Sequence, residues 1–155
     1  MKLPLETLER IVDTLNVGLV VLDKDDKIVL FNRKAGEILQ QDPEERVGSS
    51  ILRCHPERAE PGVLKMIGEL KSGKLEKYDG WVNFIGRIIY EYIYPIRDKD
   101  GNYVATVSEF HDAAEKAKYL KGLGEWAKPD MHGTGDSSPR SPHAEPPLTR
   151  KGRKE

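Results

Sequence analysis

Cysteine is nearly missing from this chain: Cys54 stands alone among 155 residues. An internal disulfide is therefore excluded, and the usage fits a reducing cytosol, so a cytoplasmic location is expected. Long apolar runs are missing too. The densest stretch, Val17 to Leu22, is far too short to span a bilayer, and no early segment carries the apolar centre of a secretory leader. Neither sign of charge prevails, with 25 Lys and Arg against 26 Asp and Glu, which leaves no general field for a polyanion. Neither membrane association nor direct nucleic-acid binding is expected. There is no phosphate-cradling glycine loop, no kinase motif and no spaced set of metal ligands. His111-Asp112 has the makings of half a catalytic pair, yet no serine or cysteine nucleophile stands in recognisable context. An enzyme is not expected.

What is present suffices for one self-sufficient core with appendages. Leu5, Leu8, Ile11, Val12 and Leu15 recur at helical spacing behind Pro4, which predicts an amphipathic helix that either covers a sheet or contacts a second copy. Val17–Leu22 and Ile28–Phe31 read as strands around the polar turn Asp23–Lys27. Asn32 is placed to cap the next helix, whose inward face is Ala35, Ile38 and Leu39. Asp42-Pro43 opens a further helical turn, and Val63, Met66, Ile67 and Leu70 mark a longer helix stopped at Ser72-Gly73.

From Lys74 the period changes. Two long strands are predicted over 81–85 and 88–96, around Gly86-Arg87. In the second, Tyr90, Tyr92 and Tyr94 share one face and Ile89 and Ile93 the other. Asp98–Asn102 is a hairpin turn, 103–110 the last strand, and His111 opens an alanine- and lysine-rich helix that runs to about Trp126. Beyond Lys128 the chain is Pro, Gly, Ser and charge, and disorder is expected there, with Arg150-Lys151 and Arg153-Lys154 read as a solvated cluster. Strands at both ends with helices grouped between them predict an α+β fold, one antiparallel sheet with helices on one face.

The stretch Ile51–Arg58 concentrates the chemistry. Pro56 constrains His55 to an extended backbone and is placed to open a helix. A neutral imidazole so held is a good metal ligand, and the same side chain can instead cap a helix or bond a loop carbonyl. Cys54 has three readings: a thiolate ligand, a flavin-adduct cysteine, or a packed thiol, of which the last is preferred.

The order of elements and several local motifs resemble the PAS domain family over roughly Leu5 to Glu115. Val17–Leu22 with Asp23-Lys24-Asp25 is similar to its first hairpin, and Phe31-Asn32-Arg33-Lys34-Ala35 to its strand-to-helix signature. Val47-Gly48 is similar to a family turn, Tyr94-Pro95-Ile96 with Asp98–Gly101 to the late hairpin, and His111–Glu115 to the closing linker. The resemblance implies a five-stranded antiparallel sheet with helices on one face, flanked by an N-terminal and a C-terminal helix. Such a fold encloses a pocket that senses a ligand, cofactor or partner. In these terms the chain divides into an N-terminal helix (1–16), a sensor domain (17–112), a linker helix (113–127) and a tail (128–155).

A narrower resemblance concerns the pocket. Leu52–Arg58 is similar to the "LHPE" segment of carbon-monoxide-responsive haem PAS transcription regulators. That likeness implies haem b with His55 as the iron ligand, Cys54, Trp81 and Phe84 around the porphyrin, and CO, NO or O2 as the sensed gas. The family's opposing methionine has no counterpart near Trp81, which implies an open distal side or a gas held beside the indole N–H. No DNA-binding helix pair or transmitter is recognised, so the signal is expected to leave through a homodimer or a separate signalling partner. The alternative is a cofactor-free PAS module for protein interaction, dimerisation or small-metabolite sensing. Flavin sensing is a third option, which the residues around Cys54 argue against.

Overall fold

The computed structural model describes residues 2–124. Helix α1 (Leu5–Thr14) leads into strands β1 (Gly18–Leu22) and β2 (Ile28–Phe31), then helices α2 (Arg33–Leu39) and α3 (Pro43–Arg46). Two 3-10 turns, Ile51–Cys54 and Glu57–Ala59, precede helix α4 (Glu60–Ser72). Strands β3 (Tyr78–Phe84), β4 (Arg87–Arg97) and β5 (Tyr103–Asp112) then run as a meander into helix α5 (Ala114–Gly122). All five strands form one antiparallel sheet in the order β2-β1-β5-β4-β3. The predicted α+β architecture is the observed one.

Local chemistry explains the boundaries. Asp42 accepts from the Glu44 amide with Pro43 in the first turn, which starts α3. Gly73 ends α4 in the left-handed conformation, φ 79°. The β3–β4 turn is the pair Ile85-Gly86 with both φ values positive, 49° and 80°, the geometry whose twist matches a tight hairpin. Asp98 Oδ1 accepts from the amides of Asp100 and Asn102 and closes the β4–β5 hairpin.

One side chain fastens the first half of the chain. Asn32 is 3 % exposed, and its amide is fully used. Its Oδ1 accepts from the Leu19 and Ala35 amides, and its Nδ2 donates to the Val12 and Val17 carbonyls, all at 2.9 Å. The cap predicted for α2 is thus also the clamp that holds the end of α1 and the start of β1. The Arg33 amide adds a bond to Asp13 Oδ1 at 2.9 Å. Ile28, Ala35, Ile38, Val63 and Leu70 pack between the helices and the sheet as the centre of the core.

Two expectations change at the C-terminal end. His111 and Asp112 belong to β5 rather than to the helix, because the ladder with β4 continues through Tyr90–His111 and Ile89–Asp112. The helix starts at Ala114, whose amide bonds to Asp112 Oδ1 at 2.9 Å. Trp126 and the tail lie outside the described residues. No helix among the described residues is long and apolar enough to cross a membrane.

Replacing Asn32 by Ala strands buried backbone groups at three separate elements, so a loss of about 2–4 kcal/mol in unfolding free energy is expected. Urea denaturation measures it. A loss below about 0.5 kcal/mol, the range of ordinary surface changes, would contradict the clamp.

Candidate functional site: an apolar cavity with a buried acid

Alternation along β4 decides which side chains meet the helices. Ile89 and Ile93 are buried against the core, so Glu91 between them faces inward as well. Its register partners are Gly80 on β3, which adds no side chain, and Phe110 on β5. Beneath this face lie two cavities of about 100 and 70 Å³ that share Val20, Ile51, His55, Glu91 and Ser108 as walls. Leu39, Val82, Phe84, Ile89 and Phe110 make most of the rest of the larger one. The cavity is apolar with a few polar groups converging on it, the usual make-up of a small-molecule site.

Glu91 is the group that sequence reasoning missed. Among the described residues its carboxylate has neither an ion-pair nor a hydrogen-bond partner, and the half-buried side chain lines both cavities. Burial alone pushes its carboxyl up to about 7. The signal was present in the sequence: isoleucines two residues to either side put position 91 on the inner face.

His55 ends the 3-10 turn with an extended backbone, φ −122° and ψ 147°, as its place before Pro56 requires. Its Nδ1 lies 3.0 Å from the Ile51 carbonyl oxygen. A carbonyl only accepts, so Nδ1 carries the proton and Nε2 is left as an unprotonated acceptor. Burial depresses the imidazole, against opposing contributions from the Ile51 carbonyl and Glu60, and favours the neutral ring. Pro56 itself does not open the long helix. It stays extended ahead of the short 3-10 turn, and Pro61 takes the first turn of α4.

The other predicted site residues divide. Cys54 and Phe84 line the larger cavity with His55. Burial raises the Cys54 thiol, only partly offset by Arg46 and Arg53, which suits a packed thiol. Trp81 is not among them. It pairs with Tyr90 on the opposite face of the sheet, ring centroids 4.7 Å apart, because Val82 and Phe84 take the inward positions of β3. Tyr90, Tyr92 and His111 continue that outer aromatic row at centroid spacings of 4.9 and 6.4 Å, and Tyr90 donates to Asp79 Oδ2 at 2.7 Å.

The expectation of haem b is overturned. Among the described residues no group of three or more His, Cys, Asp or Glu side chains could hold a metal ion. The space agrees: a cavity of about 150 Å³ is filled by one benzene, and neither cavity here reaches that volume. A porphyrin, a macrocycle of four such small rings, does not fit. With it goes gas sensing through an iron on His55.

A single antiparallel sheet whose helices close over a small cavity defines an α+β domain with an enclosed pocket. A family model described as "PAS domain" matches residues 8–113, and the chain belongs to that family. Its domains are non-catalytic sensory modules, which assigns the chain a sensory rather than an enzymatic role. Among solved structures, the chain is similar to a C-terminal domain from Streptococcus mutans, with 22% identity and a TM-score of 0.65 over 76% of this chain and 90% of that one. The PAS domain of Bordetella pertussis BvgS matches at 21% identity and TM-score 0.53, covering 79% and 94%. A PAS domain from Colwellia psychrerythraea matches at 17% and 0.52, covering 72% and 98%. At these identities the likeness shows the fold. No curated protein matches the chain.

The raised carboxyl has a direct consequence for stability. Glu91 holds its proton more tightly folded than unfolded, so its contribution is fully favourable below about pH 4.5 and is lost as the pH rises through about 7. Glu91→Gln removes that loss. The variant is expected to gain up to about 3 kcal/mol over the parent at pH 8. The difference is expected to vanish below about pH 4.5, in urea titrations across that range. Equal stability at pH 8 would contradict the burial of an uncompensated acid.

Proposed function

We propose that this chain is a PAS module that senses a small organic molecule without a prosthetic group, using the cavity between the inner sheet face and the Ile51–Cys54 turn. The observation that carries the reading is an apolar cavity of about 100 Å³ into which His55, Glu91 and Ser108 bring polar groups. In this reading residues 17–112 are the sensor, α1 is an attached flank, and 113–127 is the linker through which the signal leaves. Support for that route lies on β4. Glu91 faces the cavity, while the Ile88 carbonyl on the same strand accepts from the Ala113 amide at 2.9 Å, next to the start of α5. A ligand with different affinity for two positions of β4 would bias α5 by that difference and no more.

Output through a second copy or a partner is supported by α1. Its apolar stripe is left uncovered, with Leu5 71 % and Ile11 43 % exposed. Tyr119 and Leu123, in α5 and at its C-cap, are likewise exposed.

Two experiments address the two parts. A panel of small metabolites screened by thermal unfolding is expected to contain compounds that raise the midpoint of the parent but not of Ser108→Leu, whose larger side chain fills the shared wall. A panel in which nothing discriminates between them would contradict the cavity reading. For the flank, Leu5→Glu with Ile11→Glu is expected to lower the sedimentation coefficient of a self-associated parent while leaving thermal stability within about 0.5 kcal/mol. An unchanged assembly would exclude this stripe as the contact.

A further inference from the structure

Among the described residues, one unpartnered charge reaches the cavity, and it is negative. Glu91 brings a carboxylate with no partner among the described residues. His55, its Nδ1 proton committed to the Ile51 carbonyl, is left with an accepting Nε2. Gln41 lines the same space, and its amide oxygen is buried without a hydrogen-bond partner. Ser108 adds a hydroxyl, which can accept as well as donate. Among the described residues no arginine or lysine lies in the wall. An anionic ligand would be repelled by the Glu91 carboxylate, whereas a ligand with N–H donors and a positive charge would pair with that carboxylate and offer donors to the acceptors beside it.

Size narrows the class. By comparison with the benzene-filled cavity of about 150 Å³, this one takes roughly four to six heavy atoms. Its remaining wall is aliphatic and aromatic, from Val20, Leu39, Val82, Phe84 and Phe110, so the body of the ligand is apolar.

We propose that the cavity binds a small primary ammonium compound, its charged head against the Glu91 carboxylate and its short hydrocarbon tail against Val82, Phe84 and Phe110. The inference rests on the small-molecule reading above and names the chemical class of its ligand. An ammonium group supplies three donors to the acceptors present and neutralises the carboxylate that has no partner among the described residues.

The proposal fixes a pH dependence. The titratable groups that face Glu91 across the cavity are His55 and Cys54, both on the turn. Glu60 acts on His55, and Arg46 with Arg53 act on Cys54. Among the described residues the walls from β1, β3, β5 and α4 bring no further ionisable group. Burial is the sole cause acting on Glu91, which titrates at about 7 in the free protein. The competent form is the carboxylate, so affinity rises with pH, by about tenfold from pH 6 to pH 8.

The test uses the full chain with three probes of matched size: n-butylamine, n-butanol and butyrate. At pH 8 butylamine alone is expected to raise the thermal midpoint of the parent by several degrees, with an affinity about tenfold weaker at pH 6. Glu91→Gln keeps the shape of the side chain and removes its charge, and it is expected to lose that shift. If butanol stabilises the parent as strongly as butylamine, or the variant keeps its affinity for the amine, the ammonium assignment is overturned while small-molecule sensing stands. Silence from all three probes also overturns it. The sensing reading itself falls only if the wider metabolite panel is silent too.

Discussion

The fold hangs on the side chain of Asn32. A buried primary amide can make four hydrogen bonds, and this one makes them all to main-chain groups of four different residues. Those groups sit at the end of α1, at the start of β1 and in the first turn of α2, so a single residue sets the angle at which the helical layer meets the sheet. No apolar contact could do the same, because dispersion is without direction and an amide bond is not. Asn32 thereby ties α1, β1 and α2 together, while Ile51 and His55 line both cavities from the turn that follows α3.

Within that space the chain does something that apolar packing alone would not. A carboxylate in the middle of the inner sheet face opposes folding above neutral pH, since no group among the described residues compensates it. An apolar side chain at the same place would carry no desolvation cost. A carboxylate left unpaired beside an accepting imidazole nitrogen and an orphaned amide oxygen is intelligible as one half of a complementary pair whose other half arrives from solution. Stability is then linked to ligand, which is the thermodynamic requirement for a sensor. Glu91 and the Ile88 carbonyl that accepts from the Ala113 amide lie on the same strand, so β4 touches both the cavity and the start of α5.

Much of this was legible from residues alone, and the failures have identifiable causes. The cap at Asn32, the proline-led turn at Asp42-Pro43, the stop at Gly73 and the Asp98–Asn102 hairpin all follow from local chemistry, which is why they were readable. The five-stranded sheet followed from the order of the elements. The end of β5 was misplaced because alanine and lysine after His111 favour a helix, while the ladder to Tyr90 and Ile89 is a tertiary contact that propensity does not contain. Trp81 was set in the pocket by a positional likeness, although strict alternation with Val82 and Phe84 sends it outward. His55 and Cys54 do reach the cavity, but the haem they were matched with does not fit its volume or its donor set. Glu91 escaped notice because a charged residue is read as solvated by default; only the isoleucines at 89 and 93 said otherwise.

The cavity's chemistry turns on Glu91 being a half-buried, inward-facing acid with no partner among the described residues. The most direct measurement is a carboxyl-detected NMR titration of Glu91 in the ligand-free protein, assigned by comparison with Glu91→Gln. The account predicts a midpoint at about 7, well separated from the exposed glutamates. A midpoint in the ordinary range near 4.5 would mean that the carboxylate is solvated or paired, and would contradict both the cavity's electrostatics and the ligand class drawn from it.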